Sequence, residues 1–227
     1  MNWLKERAVV TGIGETEYTR GSGMSVLALQ LQASLRAIED AGLSPKDIDG
    51  VIPYATTDTV AEDFITNFGI EDLRYSATTP MGGASCVAAL QSAAMAVSTG
   101  VANHVLCVVG RNGYSGGRVG SRISQVPQFK TVAECEMPIG AIGPAQLYAP
   151  MAQRHMELYG TKSEQLAQIA ITMRKHAMMN DNSVMNKPLA LEDHQNSRMI
   201  ADPLRLFDCF LESDGGTAVV VSGAERT

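Results

Sequence analysis

A run of small residues between positions 78 and 100 has the composition of a binding turn followed by a helix. Its sequence is TTPMGGASCVAALQSAAMAVSTG, with a glycine pair just ahead of Cys86. Glycine adopts positive φ at little steric cost, so the pair permits a sharp turn between a strand over residues 73–79 and a helix over residues 86–98. Backbone N–H groups at such a helix start can bind a thioester oxygen, an oxyanion or a phosphate. The residues expected to form this substrate or oxyanion site are Gly83, Ala84 and Ser85.

Cys86 falls in the first turn of that helix, where thiol chemistry is one interpretation. A helix N-terminus can lower the pKa of a thiol and make the thiolate reactive. The competing interpretation is a small buried thiol that packs at the helix start. The helix is apolar on nearly every face, which predicts that it is buried on all sides.

The loop GRNGYSGGRVGSR, which begins at residue 110, is a second candidate site. Guanidinium groups bind phosphates through paired hydrogen bonds, so the loop is either a phosphate site or simply a solvated segment. Its three arginines are Arg111, Arg118 and Arg122. Elsewhere the sequence has no C-x-x-C and no histidine pair at i, i+4, so no metal site is predicted.

Other polar residues have simpler interpretations. Asp214 precedes two glycines, and we interpret the three as a tight turn into the last strand rather than as a catalytic site. Three histidines are expected on helix surfaces, and His104 is expected to be solvated at the start of a strand. The three are His155, His176 and His194.

The elements that must position these groups alternate between strands and helices. Residues 8–10 predict a strand that turns at 11–14, residues 25–41 predict an amphipathic helix, and the apolar run 104–109 predicts a central strand. This alternation implies an α/β fold with a parallel-rich sheet. Residues 110–150 are loop-like, and a further helix, a weakly ordered segment and a final strand follow at 161–176, 178–198 and 216–222.

Composition narrows the class of protein. The chain has 227 residues, of which 45% are hydrophobic, enough for one large domain with a packed core. Its net charge of −6 argues against a nucleic-acid partner, which requires a basic surface. No apolar run is long enough for a membrane span, and the charged start MNWLKER is not a signal peptide. Four cysteines without a pattern favour reduced thiols and a cytoplasmic location.

Four segments, taken in order, resemble the thiolase superfamily, specifically its lipid-transfer or sterol-carrier branch. They are AVVTGIGETEYTR, the turn and helix of 78–100, MAQRHMELYGTKSEQLAQIAITMRKHA and DPLRLFDCFLESDGGTAVVVSGAE. The resemblance implies a thiolase-like βαβαβ half with a mixed, mostly parallel sheet and a loop-rich insertion. The expected core is 1–110 with 200–227, the insertion is 111–199, and the C-terminal half of the family is absent.

The chain departs from the family at the residue that matters most. Aligned on Ala89-Leu90 and on Gly100, the family's nucleophilic cysteine falls on Gly83, and Cys86 stands where the family has glycine. The Gly-His-Pro, Asn-Glu and Cys-x-Gly motifs of the second half do not occur. Either this chain is a fragment, or a partner chain completes the site.

The resemblance also implies roles for residues outside the turn. It places coenzyme A against the insertion, near the three arginines, as part of the substrate and not as a bound cofactor. Aligned on Tyr159-Gly160, Tyr148 falls near a position that lines the acyl pocket, where it would hydrogen-bond a thioester or act as a weak acid–base group. The alternative for Tyr148 is a buried tyrosine that serves the fold.

The favoured function is therefore an enzyme that handles acyl-CoA thioesters without the usual nucleophile, either aldolase-like or an atypical acyltransferase. The alternatives are an acetyl-CoA acetyltransferase-type thiolase that uses Cys86, a non-catalytic acyl-CoA- or lipid-binding scaffold, and an inactive truncated product. The resemblance implies a homodimer, with residues 76–85 at the contact, and an OB-fold partner protein for the aldolase type.

Overall fold

The computed structural model describes residues 7–54, 59–117 and 129–226. The chain divides into two units: Met1–Ser115 with Asp214–Thr227 forms the first, and Gly116–Ser213 forms the second. The chain thus passes from the first unit to the second after Ser115 and returns to the first at Asp214. The core-and-insertion boundaries expected from the sequence stay a prediction.

A five-stranded mixed sheet forms the centre of the first unit. Its strands are β1 (Ala8–Glu15), β2 (Gly50–Pro53), β3 (Tyr75–Ser76), β4 (His104–Asn112) and β7 (Asp214–Gly223), in the spatial order β1-β7-β4-β2-β3. Strand β2 pairs in parallel with β3 and β4, whereas β7 is antiparallel to β1 and β4. The predicted α/β fold with a mixed sheet is confirmed.

Helices cover the two faces of this sheet. They are α1 (Val26–Asp40), α2 (Ala61–Phe68) and α3 (Ser85–Ser98). Because side chains alternate along a strand, Leu106 and Val108 of β4 pack with α1 and α2, whereas Val105 and Cys107 pack with α3. Two apolar clusters, one on each face, therefore hold the sheet in place.

Glycines in β1 and β7 let α1 lie close to the sheet. A Cβ added to Gly14 would overlap the carbonyl oxygen of Ala33, and one on Gly216 would lie 2.7 Å from the carbonyl oxygen of Leu29. The predicted turn at 11–14 is wrong, because β1 continues to Glu15. The glycines there serve helix packing and not chain reversal.

The second unit is mainly helical. It contains α4 (Pro144–Tyr159), α5 (Ser163–Ala177), α6 (Leu191–Gln195) and an antiparallel pair, β5 (Met199–Ala201) with β6 (Leu204–Arg205). The expectation of a loop as far as residue 150 is wrong for its last part, because Pro144 opens α4 and the helix continues through Pro150. Proline is favourable at the first helical position, because a backbone N–H there would have no partner within the helix.

The histidines divide between surface and interior. His194 was expected on a surface, but it is fully buried, with its Nε2 2.8 Å from Asp208 Oδ1. His104 was expected to be solvated, yet it is half-buried and its Nδ1 lies 2.8 Å from Ser222 Oγ. Both partners are distant in sequence, so periodicity could not identify them. The exposed positions of His155 and His176 are confirmed.

Candidate active site

The candidate site lies where the chain turns from the sheet into α3. A 3₁₀ turn over Gly82–Ala84 leads directly into the helix, and Gly82 has φ +58°, a conformation that favours glycine. The turn is fixed from within: the Met81 N–H donates to Ser85 Oγ at 2.9 Å, and Thr79 Oγ1 donates to the Ser85 carbonyl oxygen at 3.0 Å. Its backbone is therefore preorganised.

The backbone donors of the turn are not equally available. The N–H of Ala84 donates to the Met81 carbonyl oxygen at 3.2 Å, and that of Ser85 donates to the Gly82 carbonyl oxygen. The Ser85 side chain is buried within the turn. The N–H of Gly83 has no partner among the described residues. Of the three residues predicted to bind an oxyanion, Gly83 is thus the one with a free donor.

An apolar cavity of about 310 Å³ opens beside the turn. It lies between α3 and the sheet, and both Cys86 and Cys107 line it. Burial, with a smaller contribution from the neighbouring Cys86, raises the pKa of the Cys107 thiol to about 12. Cys107 is therefore a neutral part of the cavity wall, whereas Cys86 is exposed at the start of the helix.

Besides Ser85, three residues with hydroxyl groups line the cavity, and the sequence analysis identified none of these three. Tyr54 Oη donates to the Gly82 carbonyl oxygen at 3.4 Å, and Thr217 Oγ1 lies 2.6 Å from Tyr18 Oη. Thr79 is the third. Tyr54 follows the end of β2, and the carboxyl end of a parallel strand is a common location for ligand sites. That rule could have indicated it.

The other predicted site residues are in different places. Arg111 is half-buried on β4 in the first unit, whereas Arg118 and Arg122 lie outside the described residues. Tyr148 lies on α4 in the second unit and is 60% exposed, so it is not the buried tyrosine considered as its alternative. The roles of these residues in binding coenzyme A or the acyl group stay predictions.

The composition of helix α3 predicted burial on all sides, but the helix is buried on one side only. Ala89, Ala93 and Ala96 pack against the sheet, whereas Val87 is 70% exposed and Met95 is 51% exposed. The expectation of full burial is wrong for this chain, because the sheet covers only one face of the helix. The apolar residues on the other face remain exposed.

Asp214 is a buried residue at the start of β7, and the tight turn expected for it and its two glycines is wrong, because all three lie within that strand. Its carboxylate accepts hydrogen bonds from the backbone N–H groups of Ser22, Tyr114 and Ser115, at 2.8–3.0 Å, and from the hydroxyls of both serines. Burial opposes ionisation, but the hydrogen bonds from Ser115 and Ser22 outweigh it and lower the pKa of Asp214. The carboxylate therefore joins three segments of the first unit.

Two negative findings concern the described residues only. No group of three or more His, Cys, Asp or Glu side chains there could hold a metal ion. No helix in the same part of the chain is long and apolar enough to cross a membrane.

The sheet order and the turn into α3 define one half of a thiolase-like fold. No family model matches the sequence. The chain is 42% identical over 233 residues to a steroid side-chain-cleaving aldolase of Thermomonospora curvata, covering 100% of this chain and 59% of the relative. It is 40% identical over 229 residues to a 17-hydroxy-3-oxo-4-pregnene-20-carboxyl-CoA lyase of Mycobacterium tuberculosis, covering 98% and 59%.

A solved structure shows the same likeness in three dimensions. An Ltp2-ChsH2(DUF35) aldolase superposes with a TM-score of 0.87 at 41% identity, covering 98% of this chain and 57% of that chain. The chain thus spans less than two thirds of the length of the relatives that it matches. Over its length it is similar to about the N-terminal half of SCP2-thiolase-like proteins.

Proposed function

We propose that this chain is part of an enzyme that cleaves the Cα–Cβ bond of a β-hydroxyacyl-CoA thioester. The observation that carries the proposal is Gly83, a residue without a side chain at the position to which the resemblance assigns the family's nucleophilic cysteine. The similarity to proteins named as an aldolase and a lyase supports the same reaction. Coenzyme A is then part of the substrate, and the reaction itself requires no other cofactor.

The reaction is a retro-aldol cleavage. A general base removes the proton of the β-hydroxyl group while the Cα–Cβ bond breaks, and the β-carbon leaves as a ketone or an aldehyde. The electron pair of that bond passes to the thioester, whose oxygen becomes an enolate oxyanion. We assign the Gly83 N–H as a donor to this oxygen, because a donor aimed at developing charge stabilises the transition state. Protonation of Cα then releases the shortened acyl-CoA.

We place the general base outside the described first unit. Among the described residues that line the cavity there is no carboxylate and no imidazole. The hydroxyls of Tyr54 and Thr79 can orient a substrate, but a neutral hydroxyl group is a weak general base. The base therefore belongs to the part of the relatives' length that this chain does not match, or to a partner.

Coenzyme A would be held by the insertion. We propose that Arg111 with Arg118 and Arg122 binds its phosphates, since a guanidinium fork suits a phosphate group. Tyr148 is a candidate contact for the acyl group. Residues 111–199 would then form an insertion that carries substrate contacts, while the core of 1–110 with 200–227 carries the turn.

Cys86 distinguishes this proposal from a thiolase that has moved its nucleophile. If no acyl-enzyme passes through Cys86, a Cys86→Ala variant of the native protein should cleave a β-hydroxyacyl-CoA within about threefold of the wild-type rate, as expected of a substitution that removes no essential group. It should also fail to thiolyse a β-ketoacyl-CoA, as should the wild type. Product formation can be followed by mass spectrometry.

Cys135→Ala is the matched control, because Cys135 is an exposed thiol in the second unit. If Cys86 is the nucleophile, its loss should lower the rate by roughly 10⁴–10⁶-fold, while the Cys135 variant stays active. An acylated Cys86 peptide after substrate trapping would also contradict the lyase proposal. If neither substrate reacts and acyl-CoA still binds, the scaffold alternative is favoured.

We also propose a homodimer, an OB-fold partner and a cytoplasmic location. Strand β3 is at the edge of the described sheet, and residues 76–85 carry no charge that would protect that edge from pairing. The solved relative is described as a complex with a DUF35 partner, which supports a partner here. Four free cysteines suit a reducing compartment. Light scattering should give twice the protomer mass at micromolar concentration, and a monomer would contradict the dimer.

A further inference from the structure

A chain of hydrogen bonds leads from the apolar cavity to the surface of the first unit. Thr217 of β7 lines the cavity, and its Oγ1 lies 2.6 Å from Tyr18 Oη. The Tyr18 hydroxyl also hydrogen-bonds to the carboxylate of Glu15, an exposed residue at the end of β1. Glu15 and Thr217 are directly opposite each other on β1 and β7, so their side chains project from the same face of the sheet. Two hydroxyl groups thus connect the cavity to an exposed carboxylate.

The direction of these hydrogen bonds follows from the donor capacity of each group. An ionised carboxylate only accepts, so the Tyr18 hydroxyl donates its single hydrogen to Glu15. Tyr18 Oη therefore accepts the hydrogen bond from Thr217. Burial raises the pKa of Tyr18, the hydrogen bond from Thr217 opposes that shift, and the Glu15 carboxylate adds to it. Because the net shift is upward, Tyr18 remains a neutral hydroxyl that can pass a proton from one neighbour to the other.

The ring of Tyr18 occupies space that a glycine leaves open. A Cβ added to Gly215 of β7 would overlap the Tyr18 ring. Gly215 does not have positive φ, so the backbone conformation gives no reason for glycine there. Side chains two residues apart on a strand lie on the same face, so this space is beside Thr217. The strand therefore holds the Tyr18 hydroxyl next to the threonine that lines the cavity.

Other hydroxyl groups of the cavity donate to backbone atoms. Thr79 Oγ1 donates to the Ser85 carbonyl oxygen, and Tyr54 Oη donates to the Gly82 carbonyl oxygen. A backbone carbonyl is an acceptor with no proton of its own, so these two bonds do not pass a proton onward. The hydrogen bond of Thr217, by contrast, leads to an ionisable side chain.

We propose that Glu15, Tyr18 and Thr217 form a proton relay that carries a proton from water to the α-carbon of the acyl group after the carbon–carbon bond has broken. The inference rests on the proposed function, and it places the acyl carbons next to the thioester in this cavity. The relay serves this last step only, and the base that removes the β-hydroxyl proton is a different group.

The step balances as a transfer of one proton from water. Thr217 donates its hydroxyl proton to the α-carbon while it receives the proton of Tyr18, and Tyr18 receives a proton that Glu15 has taken from water. The electron pair of the enolate C=C bond forms the new C–H bond, and the oxyanion re-forms the thioester carbonyl. Of the three residues, Thr217 touches the substrate, whereas Tyr18 and Glu15 act through it.

Exchange of the α-protons of butyryl-CoA in deuterated water tests the relay in the native protein. Butyryl-CoA has no β-hydroxyl group and is not cleaved, but the reverse of the protonation step removes its α-proton. Mass spectrometry should show that wild type incorporates deuterium. Glu15→Gln, Tyr18→Phe and Thr217→Val should each slow this exchange by about 10²–10⁴-fold, the usual contribution of a positioned acid–base group. Calorimetry should show that the three variants still bind butyryl-CoA with an affinity close to that of wild type.

Matched and conservative variants separate proton transfer from structure. Tyr75→Phe removes a hydroxyl that lies 2.6 Å from Ser92 Oγ in the same unit, and Glu17→Gln removes an exposed carboxylate close to Glu15 in the sequence. Both variants should exchange α-protons at the wild-type rate. Thr217→Ser keeps a hydroxyl group and should restore most of the exchange that Thr217→Val loses.

The relay and the proposed reaction can fail separately. A wild type that does not exchange α-protons would overturn the relay, as would relay variants that exchange as fast as Tyr75→Phe. Equal losses in Thr217→Ser and Thr217→Val would assign Thr217 a packing role and would also overturn it. If the relay variants lose exchange but the wild type cleaves no β-hydroxyacyl-CoA, the relay is supported and the proposed reaction is refuted.

Discussion

Replacing Asp214 by alanine should destabilise the native protein by about 3–5 kcal/mol, because five hydrogen-bond donors lose one buried acceptor. The donors come from Ser22, Tyr114 and Ser115, and the carboxylate is fully buried. Removing the acceptor deprives the partly buried donors of Ser22 and Tyr114 of a charged partner, whereas the donors of the exposed Ser115 can bond to water. Urea denaturation followed by circular dichroism measures the free energy of unfolding.

Asp72→Ala is the matched control for this substitution. Asp72 is in the same unit and pairs with Arg74 at 3.3 Å, but its side chain is 82% exposed. An exposed ion pair contributes only about 0–1 kcal/mol, so this variant should unfold close to wild type. Comparable stability of the two variants would show that the Asp214 network contributes little to the fold.

The contribution of Asp214 should also depend on pH in a defined direction. Its pKa is lower in the folded state than in the unfolded chain, where an aspartate titrates near 3.9. The stabilisation is therefore complete above about pH 5 and declines as the pH falls below about 4. The difference in unfolding free energy between wild type and Asp214→Asn should shrink over that acid range. A difference that is constant with pH would contradict the folded-state ionisation.

Replacing Gly14 by alanine is the second change with a large expected effect. The added methyl group would overlap the carbonyl oxygen of Ala33 and would lie 2.9 Å from the carbonyl carbon of Arg36, both in the backbone of α1. Backbone atoms cannot rotate out of the way as a flexible side chain can, so α1 would have to move away from the sheet. We expect a loss of about 3 kcal/mol or more, at the upper end for overpacking.

The same substitution at Gly83 is the control for Gly14→Ala. Apart from the two neighbours of Gly83 in the chain, no described residue has an atom within 4 Å of the Cβ position there, so alanine should be neutral or slightly stabilising. Thermal unfolding of the two variants, side by side, separates close packing from glycine's effect on the unfolded chain. A Gly14→Ala variant as stable as wild type would mean that α1 does not rest on β1 as closely as the structure shows.

The sequence by itself was sufficient to predict the helices and strands that depend on local patterns. The apolar period of residues 25–41 predicted α1, and the apolar run 104–109 predicted β4, because both signals come from neighbouring residues. The glycine turn and the helix that follows it were also predicted, whereas the strand expected over 73–79 is limited to Tyr75–Ser76. The likeness of this segment to the thiolase superfamily indicated the relatives to which the chain is similar.

Only the tertiary structure decided how those elements use their residues. Gly12 and Gly14 suggest a turn in the sequence, but they lie inside β1 because α1 packs on them from elsewhere in the chain. His194 is buried where its ring contacts the carboxylate of Asp208. The carboxylate of Asp214 accepts hydrogen bonds from residues about 100 and 190 positions away in the sequence. Such partners are set by long-range packing, which leaves no period or motif in the local sequence.

The candidate site shows the same division. The glycines before α3 indicated a turn with backbone donors, since glycine is the residue that such a turn needs. Which donors are free depends on the 3₁₀ geometry, in which Ala84 and Ser85 donate within the turn and Gly83 does not. The cavity walls come from β2, β4, β7 and α3, so their hydroxyl and thiol groups meet only when the sheet assembles. The sequence therefore indicated which residue types form the candidate site, and the fold decided which of their donors and side chains are free to contact a ligand.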